Sequence, residues 1–205
     1  MAGRYDHADV EVLERRTAFQ GFFRLDVVRL RHRLFDGGWS EPMQRELFVR
    51  RPAVVLLPYD PRLDQVVMIE QFRPGAIDMP YSPWLLELVA GIMEDGEAPE
   101  DVAIREAAEE AALEVTSLEF VHRYQVSPGA NTEEVLIFCG RVDASDAGGV
   151  HGLAEEHEDI RVHVWDWDTV HTALEQGEIR NAASLIALQW LALHRQSLRE
   201  RWADV

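Results

Sequence analysis

Three carboxylates on one side of a predicted helix constrain this chain more than any other feature of its sequence. The helix is expected over residues 99–113, where Pro99 suits a first helical position. Glu106, Glu109 and Glu110 follow an i, i+3, i+4 spacing, so their side chains share one face. Their mutual repulsion destabilises an isolated helix, and a hard divalent cation, which prefers oxygen ligands, removes that cost. The spacing alone is also typical of a solvated acidic face, which is the commoner explanation of such a pattern.

The chain around this helix mixes strands and helices, which predicts an α+β class, or α/β with a mixed sheet. Ile104, Ala108 and Ala111 on the opposite side of the helix predict close packing against a sheet. Period-two alternation and the turn signal at 36–38 indicate a small antiparallel N-terminal sheet. The expected strands are 22–35, 44–49, 53–58, 65–71, 84–89, 117–126, 134–142 and 160–166, and the further helices are 168–176 and 182–202.

Composition excludes some classes of partner. The formal net charge of −17 disfavours nucleic acid and anionic membrane surfaces, so arginines or a metal must receive any phosphate of a substrate. The single cysteine, Cys139, lies in an apolar run and is expected to be a buried small side chain. No apolar stretch approaches the roughly 18 residues of a membrane helix, and the first residues lack an apolar signal core. We therefore expect a cytoplasmic protein without a membrane partner.

The whole string around the helix resembles the Nudix box, the loop–helix–loop signature of Nudix hydrolases. The positions that match are Gly91, Glu97, Arg105, Glu106, Glu109, Glu110 and the apolar Leu113. Ala112 stands where the family usually has a glycine, which suits a helix exit. The resemblance implies the Nudix fold, an α+β arrangement of mixed β-sheets sandwiched between helices.

The resemblance also implies roles for individual residues. Four residues take metal positions, with Mg²⁺ as the implied ion and Mn²⁺ as a substitute: Ala90 through its backbone carbonyl, Glu106, Glu109 and Glu110. Arg105 and Glu97 match positions that brace the loop and orient the carboxylates. Glu110 and Arg105 are therefore expected to serve catalysis as well as structure.

Segments outside the box resemble the bacterial ADP-ribose pyrophosphatase subfamily. They are the triplet from Gln71 to Arg73, residues 85–90, the triplet from Ser127 to Gly129, and residues 150–162 and 181–191. This resemblance implies Mg²⁺-dependent hydrolysis of ADP-ribose to AMP and ribose 5-phosphate. Two alternatives stay open: another nucleoside-diphosphate sugar as substrate, or a ligand-sensing Nudix domain without turnover.

The acidic segment 144–159 is expected to supply a general base from a mobile loop. It is long and contains three glycines, which allow hinge motion. By position, Glu156 matches the catalytic base of the family, and Glu158 is the second candidate or a further metal ligand. His151 and His157 in the same segment are weaker candidates.

Substrate contacts and association complete these expectations. Arg73, which precedes a proline and a glycine, is a candidate contact for the diphosphate. The subfamily binds adenine with residues of the N-terminal sheet exchanged between subunits, and Phe22 and Arg45 match in approximate position. Core packing of Phe22 and a surface ion pair of Arg45 are alternatives. We expect a homodimer, with residues 1–50 as the N-terminal module and 51–205 as the catalytic domain.

Overall fold

The computed structural model describes residues 5–202, apart from the side chain of Glu156. The chain divides into two compact units. The first comprises Met1–Arg51 and Gln125–Glu134, and the second comprises Pro52–Tyr124 and Val135–Val205. Residues 125–134 thus belong to the first unit, whereas the boundary expected after residue 50 assigns them to the catalytic domain.

The first unit contains a three-stranded antiparallel sheet in the order β1-β2-β3. Its strands are β1 (Val10–Gln20), β2 (Arg24–His32) and β3 (Met43–Val49), preceded by a single 3₁₀ turn at His7–Asp9. The small antiparallel sheet is confirmed, but β1 was not predicted. Ten of its eleven residues are exposed, so the strand has no alternation of buried and exposed side chains from which to recognise it.

The second unit is built on an eight-stranded mixed sheet. Its main path runs β10-β11-β5-β4-β9-β8, with β6 paired to β5, β7 paired to β4, and β4 parallel to β9. The strands are β4 (Ala53–Asp60), β5 (Gln65–Phe72), β6 (Trp84–Glu87), β7 (Val89–Ile92), β8 (Ser117–Gln125), β9 (Glu134–Arg141), β10 (Gly149–His151) and β11 (Ile160–Asp166). The helices are α1 (Pro99–Ala111), α2 (Trp167–Gln176) and α3 (Ala182–Trp202). Among the described residues, no helix has the length and apolarity needed to cross a bilayer.

Alternating side chains of the central strands build a separate core on each face of this sheet. Along β4, Val54 and Leu56 face α1, whereas Val55 and Leu57 face α2 and α3. Cys139 is fully buried in the second of these cores, as expected. The predicted arrangement of a mixed sheet between helices is therefore confirmed.

The face of α1 that packs on the sheet is not the predicted one. Ile104 is 46% exposed and Ala108 is exposed, so the prediction that they pack inward is wrong; only Ala111 of the three is buried. The buried side is formed by Val102, Ala103, Ala107, Ala111 and, unusually for a charged side chain, Glu110. The small residues at 103 and 107 still bring the helix close to the sheet, and this places a carboxylate against the core.

The exit of α1 is strained by its alanine. Ala112 adopts a left-handed conformation with φ 51° and ψ 38°, where its N–H still caps carbonyls of the last turn. A side chain in this conformation costs about 1 kcal/mol or more relative to glycine. The position itself is exposed, so the side chain gains no packing in return.

Ala112→Gly should therefore raise the free energy of unfolding by about 1 kcal/mol. Ala108→Gly is the matched control, since Ala108 is exposed within the helix, and it should lower the free energy of unfolding by a similar amount. Urea denaturation of both variants measures the effect. A loss of stability in Ala112→Gly would show that the left-handed turn is not the conformation adopted.

Candidate active site

The chain changes strand partner just before the Nudix box. The expected single strand 84–89 is two strands, because the chain leaves β5 after Glu87 and pairs with β4 from Val89. Between them, the N–H of Leu88 donates to the Oγ of Ser184, a fully buried residue of α3, at 3.1 Å. Asn181 Oδ1 in turn accepts from the N–H of Ser184 at 2.7 Å. The first turn of α3 thus fixes the point at which the chain turns toward the box.

Glu110 is joined directly to the backbone of β7. Its side chain is buried, with 2% of the residue exposed, and Oε2 accepts from the N–H of Ala90 at 2.9 Å. This bond places Ala90 beside Glu110, as the predicted use of both residues at one metal site requires. It also holds α1 in register with the strand.

Gly91 is required by the close approach of Glu106. A Cβ at residue 91 would lie 1.7 Å from Oε1 of Glu106 and 2.1 Å from its carboxyl carbon, well inside any permitted contact. A side chain at residue 91 would therefore require the carboxylate of Glu106 to move from this position. The glycine at the start of the box has a steric reason in this structure.

Arg105 connects the carboxylates to each other and to the loop. Its Nε donates to Glu97 at 3.1 Å, and its Nη1 donates to Glu106 at 2.7 Å and to Glu109 at 3.0 Å. Burial lowers the pKa of Arg105, but the three carboxylates outweigh it and raise the pKa above the usual value. Glu97 also accepts from the N–H of Glu94 at 3.0 Å, which with Arg105 lowers the pKa of Glu97. Arg105 and Glu97 thus have the bracing contacts that the resemblance implies.

Burial makes two of the helix carboxylates reluctant to ionise. It raises the pKa of Glu106 to about 7 against the pull of Arg105, and the charges of Glu109 and Glu158 raise it further. Burial raises the pKa of Glu110 to about 8, with Glu106 and Glu158 adding to the effect and the Ala90 N–H opposing it. Ionising both carboxyls at once is therefore unfavourable in the metal-free protein.

The donor set fits a hard divalent cation, although it is not gathered round one. In the described part of the chain, no three His, Cys, Asp or Glu side chains stand together as a ligand set. The bonds above engage one oxygen each of Glu106, Glu109 and Glu110. Carboxylate and carbonyl oxygens are the ligands that a hard divalent cation prefers, so the chemistry of these donors suits such an ion.

The acidic segment after β9 reaches the same cluster. It is more ordered than the expected loop, because it contains β10 and a 3₁₀ turn at Ala154–Glu156. The N–H of Gly152 approaches the carbonyl of Glu109 at 3.4 Å, and a Cβ at this residue would lie 2.7 Å from that of Glu158. Glu158 accepts from the N–H of Leu153 at 3.2 Å, and its charge acts on Glu106 and Glu110. One of the two predicted bases therefore lies near the box.

The other residues of this segment are placed differently. The side chain of Glu156, the favoured base, lies outside the described residues. The ring of His151 shares a hydrogen bond with the carbonyl of Gly148 at 2.7 Å. His157 has left-handed backbone at the end of the 3₁₀ turn, with φ 58°. Neither histidine has a described contact with the box.

Arg73 lies on the carboxylate side of the sheet and is paired. Its Nη2 and Nε donate to Oε2 of Glu87 at 2.6 and 2.9 Å, and Glu87 is buried. The charge of Arg73 is among the influences that lower the pKa of Glu110, which locates it near that carboxylate. Glu87 was not singled out from the sequence; the only signal was an acid in the middle of the apolar run 85–89.

The two residues proposed for adenine lie in the first unit. Phe22 is in the turn between β1 and β2 and not in a strand, is 86% exposed, and contacts Phe23 edge to face at 4.8 Å. The alternative of core packing for Phe22 is therefore wrong. Arg45 is exposed on β3, opposite Val28, and its Nη1 donates to the carbonyl of Gln44 at 2.8 Å.

Comparison with known proteins places the chain among characterised relatives. An ADP-ribose pyrophosphatase of Escherichia coli strain K12 is 53% identical over 195 residues, which cover 95% of this chain and 93% of the relative. An ADP-ribose pyrophosphatase of Haemophilus influenzae is 43% identical, with 97% and 93% covered. A GDP-mannose pyrophosphatase of Cronobacter sakazakii is 32% identical, with 73% and 78% covered.

A solved structure shares the fold of this chain. A crystal structure described as an ADP compounds hydrolase superposes with a TM-score of 0.71 at 19% identity, covering 93% of this chain and 96% of that one. The NUDIX domain family matches residues 49–191, which include the whole carboxylate helix, its loop and the acidic segment. Both the expected resemblance and the geometry of the box are thereby accounted for, and the chain belongs to the Nudix family.

Proposed function

We propose that this protein hydrolyses the diphosphate of ADP-ribose, giving AMP and ribose 5-phosphate, with Mg²⁺ as the working metal and Mn²⁺ as a substitute. The observation that carries the proposal is the placement of the buried Glu110 and the half-buried Glu106 against the backbone of residues 90 and 91. The substrate is supported by relatives named as ADP-ribose pyrophosphatases, which match nearly the whole chain.

The metal would be held by Glu106, Glu109, Glu110 and the backbone carbonyl of Ala90. When bound, a divalent cation neutralises the charge of the diphosphate and makes water a better nucleophile. Arg105 contacts both Glu106 and Glu109 from a fixed position. It would therefore keep these carboxylates aligned while the metal binds or leaves. Positioning and charge stabilisation would supply the rate, without a covalent intermediate.

Other residues of the chain would bind the diphosphate and deprotonate the attacking water. Arg73, fixed by its pair with Glu87, would contact the diphosphate. Glu156 would accept a proton from the attacking water, with Glu158 as the second candidate, since a carboxylate can act as a general base once it is within reach of that water.

A second substrate class has one specific support. The relative from Cronobacter sakazakii is named for GDP-mannose, so another nucleoside-diphosphate sugar is the alternative substrate. Its lower identity and coverage favour ADP-ribose. A ligand-sensing domain without turnover has less support, because every carboxylate of the box is present.

We also propose a homodimer in which Phe22 and Arg45 of one subunit contact the adenine bound by the other. Both residues are exposed, so each is free to meet a ligand. The support for association is β1, an edge strand with apolar side chains in solvent: Val12 is 58% exposed and Phe19 is 62% exposed. The unpaired backbone of an exposed edge strand can pair with another chain, and exposed apolar patches mark interaction sites. The net charge gives no reason to add nucleic acid or a membrane to the partners.

The test of the proposed function is a substrate panel with purified protein and Mg²⁺. ADP-ribose should give AMP and ribose 5-phosphate, identified by mass spectrometry, with a higher kcat/KM than ADP-glucose, GDP-mannose, NADH or diadenosine polyphosphates. Chelation with EDTA should abolish turnover while the far-ultraviolet circular dichroism stays unchanged, because the two cores of the second unit are built of packed hydrophobic side chains. A higher kcat/KM for another sugar would replace ADP-ribose as the substrate.

Replacement of the two candidate bases should separate their roles. Glu156→Gln should lower kcat by several orders of magnitude with KM nearly unchanged, because a base acts on the transition state and not on ground-state binding. Glu158→Gln should lower kcat less. Steady-state kinetics decide between them, and the reverse order of effects would make Glu158 the base.

Glu110→Gln should lose activity without losing stability. With a pKa of about 8 in the folded state and an ordinary value when unfolded, Glu110 binds more protons folded than unfolded across the interval between them. Its ionisation therefore destabilises the metal-free protein progressively as pH rises from about 4.5 to 8, by roughly 1.4 kcal/mol for each pH unit that separates the folded and unfolded pKa values. A glutamine does not ionise, so the free energy of unfolding of the variant should rise relative to that of the wild type as the pH increases over this interval.

Denaturation in EDTA at pH 5 and pH 8 measures this difference. Glu100→Gln, an exposed site on the same helix, is the control and should show no comparable gain. If Glu110→Gln were clearly less stable than the wild type at pH 8, Glu110 would serve the fold, and its loss of activity would say nothing about metal binding.

A further inference from the structure

One buried amide on the carboxylate face of the sheet has no partner. Gln71, near the end of β5, is 8% exposed, and its Nε2 is buried without a hydrogen-bond partner among the residues that the structure describes. Burying an amide N–H without a partner is unfavourable, so such groups in a folded protein call for an explanation. A donor that the fold leaves unused is suited to a ligand that arrives later.

The register of the sheet shows which way Gln71 points. Side chains alternate along a strand, so Gln71 shares a face with Ile69, which packs in the core beneath α1. Directly opposite Ile69 on β6 is Glu87, the partner of Arg73. Gln71 therefore faces the same side as α1, in the row that leads from the core to the guanidinium of Arg73.

The neighbouring strand brings the acidic segment to the same place. Arg161 on β11 pairs with Glu70, so the fully buried Ile160 lies beside Gln71 on the α1 side. Glu158 is two residues before Ile160, and its charge acts on the carboxylates of the box. The amide of Gln71 thus lies on β5, two residues before Arg73 and beside the start of β11.

We propose that Gln71 is a substrate-contact residue, whose Nε2 donates a hydrogen bond to a diphosphate oxygen of the bound substrate. This inference rests on the proposed function, since it takes a nucleoside-diphosphate sugar as the ligand. A diphosphate oxygen is an acceptor, and Arg73 and Gln71 both present N–H donors on this row. The amide adds a donor without adding charge, which leaves the carboxylates of the box free to hold a cation.

The test compares Gln71→Met with Gln65→Met, a matched change on the same strand at its far end. Methionine keeps the length of the side chain and removes both the donor and the buried amide. Gln71→Met should lower kcat/KM for ADP-ribose about 10- to 100-fold, mainly through KM, because a hydrogen bond to a charged group is lost. Binding of ADP-ribose to the metal-free variants, measured by calorimetry without turnover, should weaken for Gln71→Met alone.

The stability of the free protein excludes a merely structural role. Because the amide is unpartnered before substrate binds, Gln71→Met should unfold at the same temperature as the wild type or higher. A lower unfolding temperature, or binding and kinetics equal to those of Gln65→Met, would overturn the proposal. If the wild type hydrolyses a different nucleoside-diphosphate sugar, the ADP-ribose assignment fails, and the same comparison with that sugar still decides the role of Gln71.

Discussion

The contact between the carboxylate of Glu106 and the backbone at Gly91 is the constraint on which the rest of the site depends. Residue 91 has no side chain that would displace this carboxylate, and the small residues Ala103 and Ala107 bring the helix close to the sheet. That approach buries Glu110 and brings it to the N–H of Ala90. The fold thus holds the carboxylates of Glu106 and Glu110 close together with little solvent between them, which is electrostatically unfavourable.

The surrounding parts limit that cost without removing it. Arg105 offsets the charges of Glu106 and Glu109, and Arg73 acts on Glu110 from the end of β5. Neither arginine brings the pKa of the buried carboxylates back to an ordinary value. A divalent cation bound among these carboxylates would offset their repulsion and stabilise the folded protein. The same cation would serve the proposed hydrolysis of the diphosphate.

Sequence reasoning succeeded where a regular period or a fixed motif carried the information. The helix, the central strands and the family all followed from such patterns, and the structure and the relatives confirm them. Sequence reasoning missed β1, because its exposed residues show no regular alternation of apolar and polar side chains. It also missed the change of strand partner at Leu88, which lies within an apolar run. The predicted inward face of α1 was wrong because Glu110 occupies a buried position that periodicity assigns to an apolar residue.

Long-range contacts were beyond the sequence for a different reason. The pair of Arg73 with Glu87 and the bond from Leu88 to Ser184 join residues 14 and 96 positions apart, and nothing local to either partner indicates the other. The unpartnered amide of Gln71 could be recognised only once the sheet register was known. The roles of Glu156, Phe22 and Arg45 stay predictions.

The central claim, that the buried carboxylates exist to hold a cation, is tested most directly by the effect of Mg²⁺ on folding stability. The free energy of unfolding at pH 8 should be measured in saturating Mg²⁺ and in EDTA, for the wild type and for Glu106→Gln. The wild type should gain about 2.7 kcal/mol when Mg²⁺ is present at about 100 times its dissociation constant, and the variant should gain much less. An equal gain in both proteins, or none in the wild type, would contradict the account.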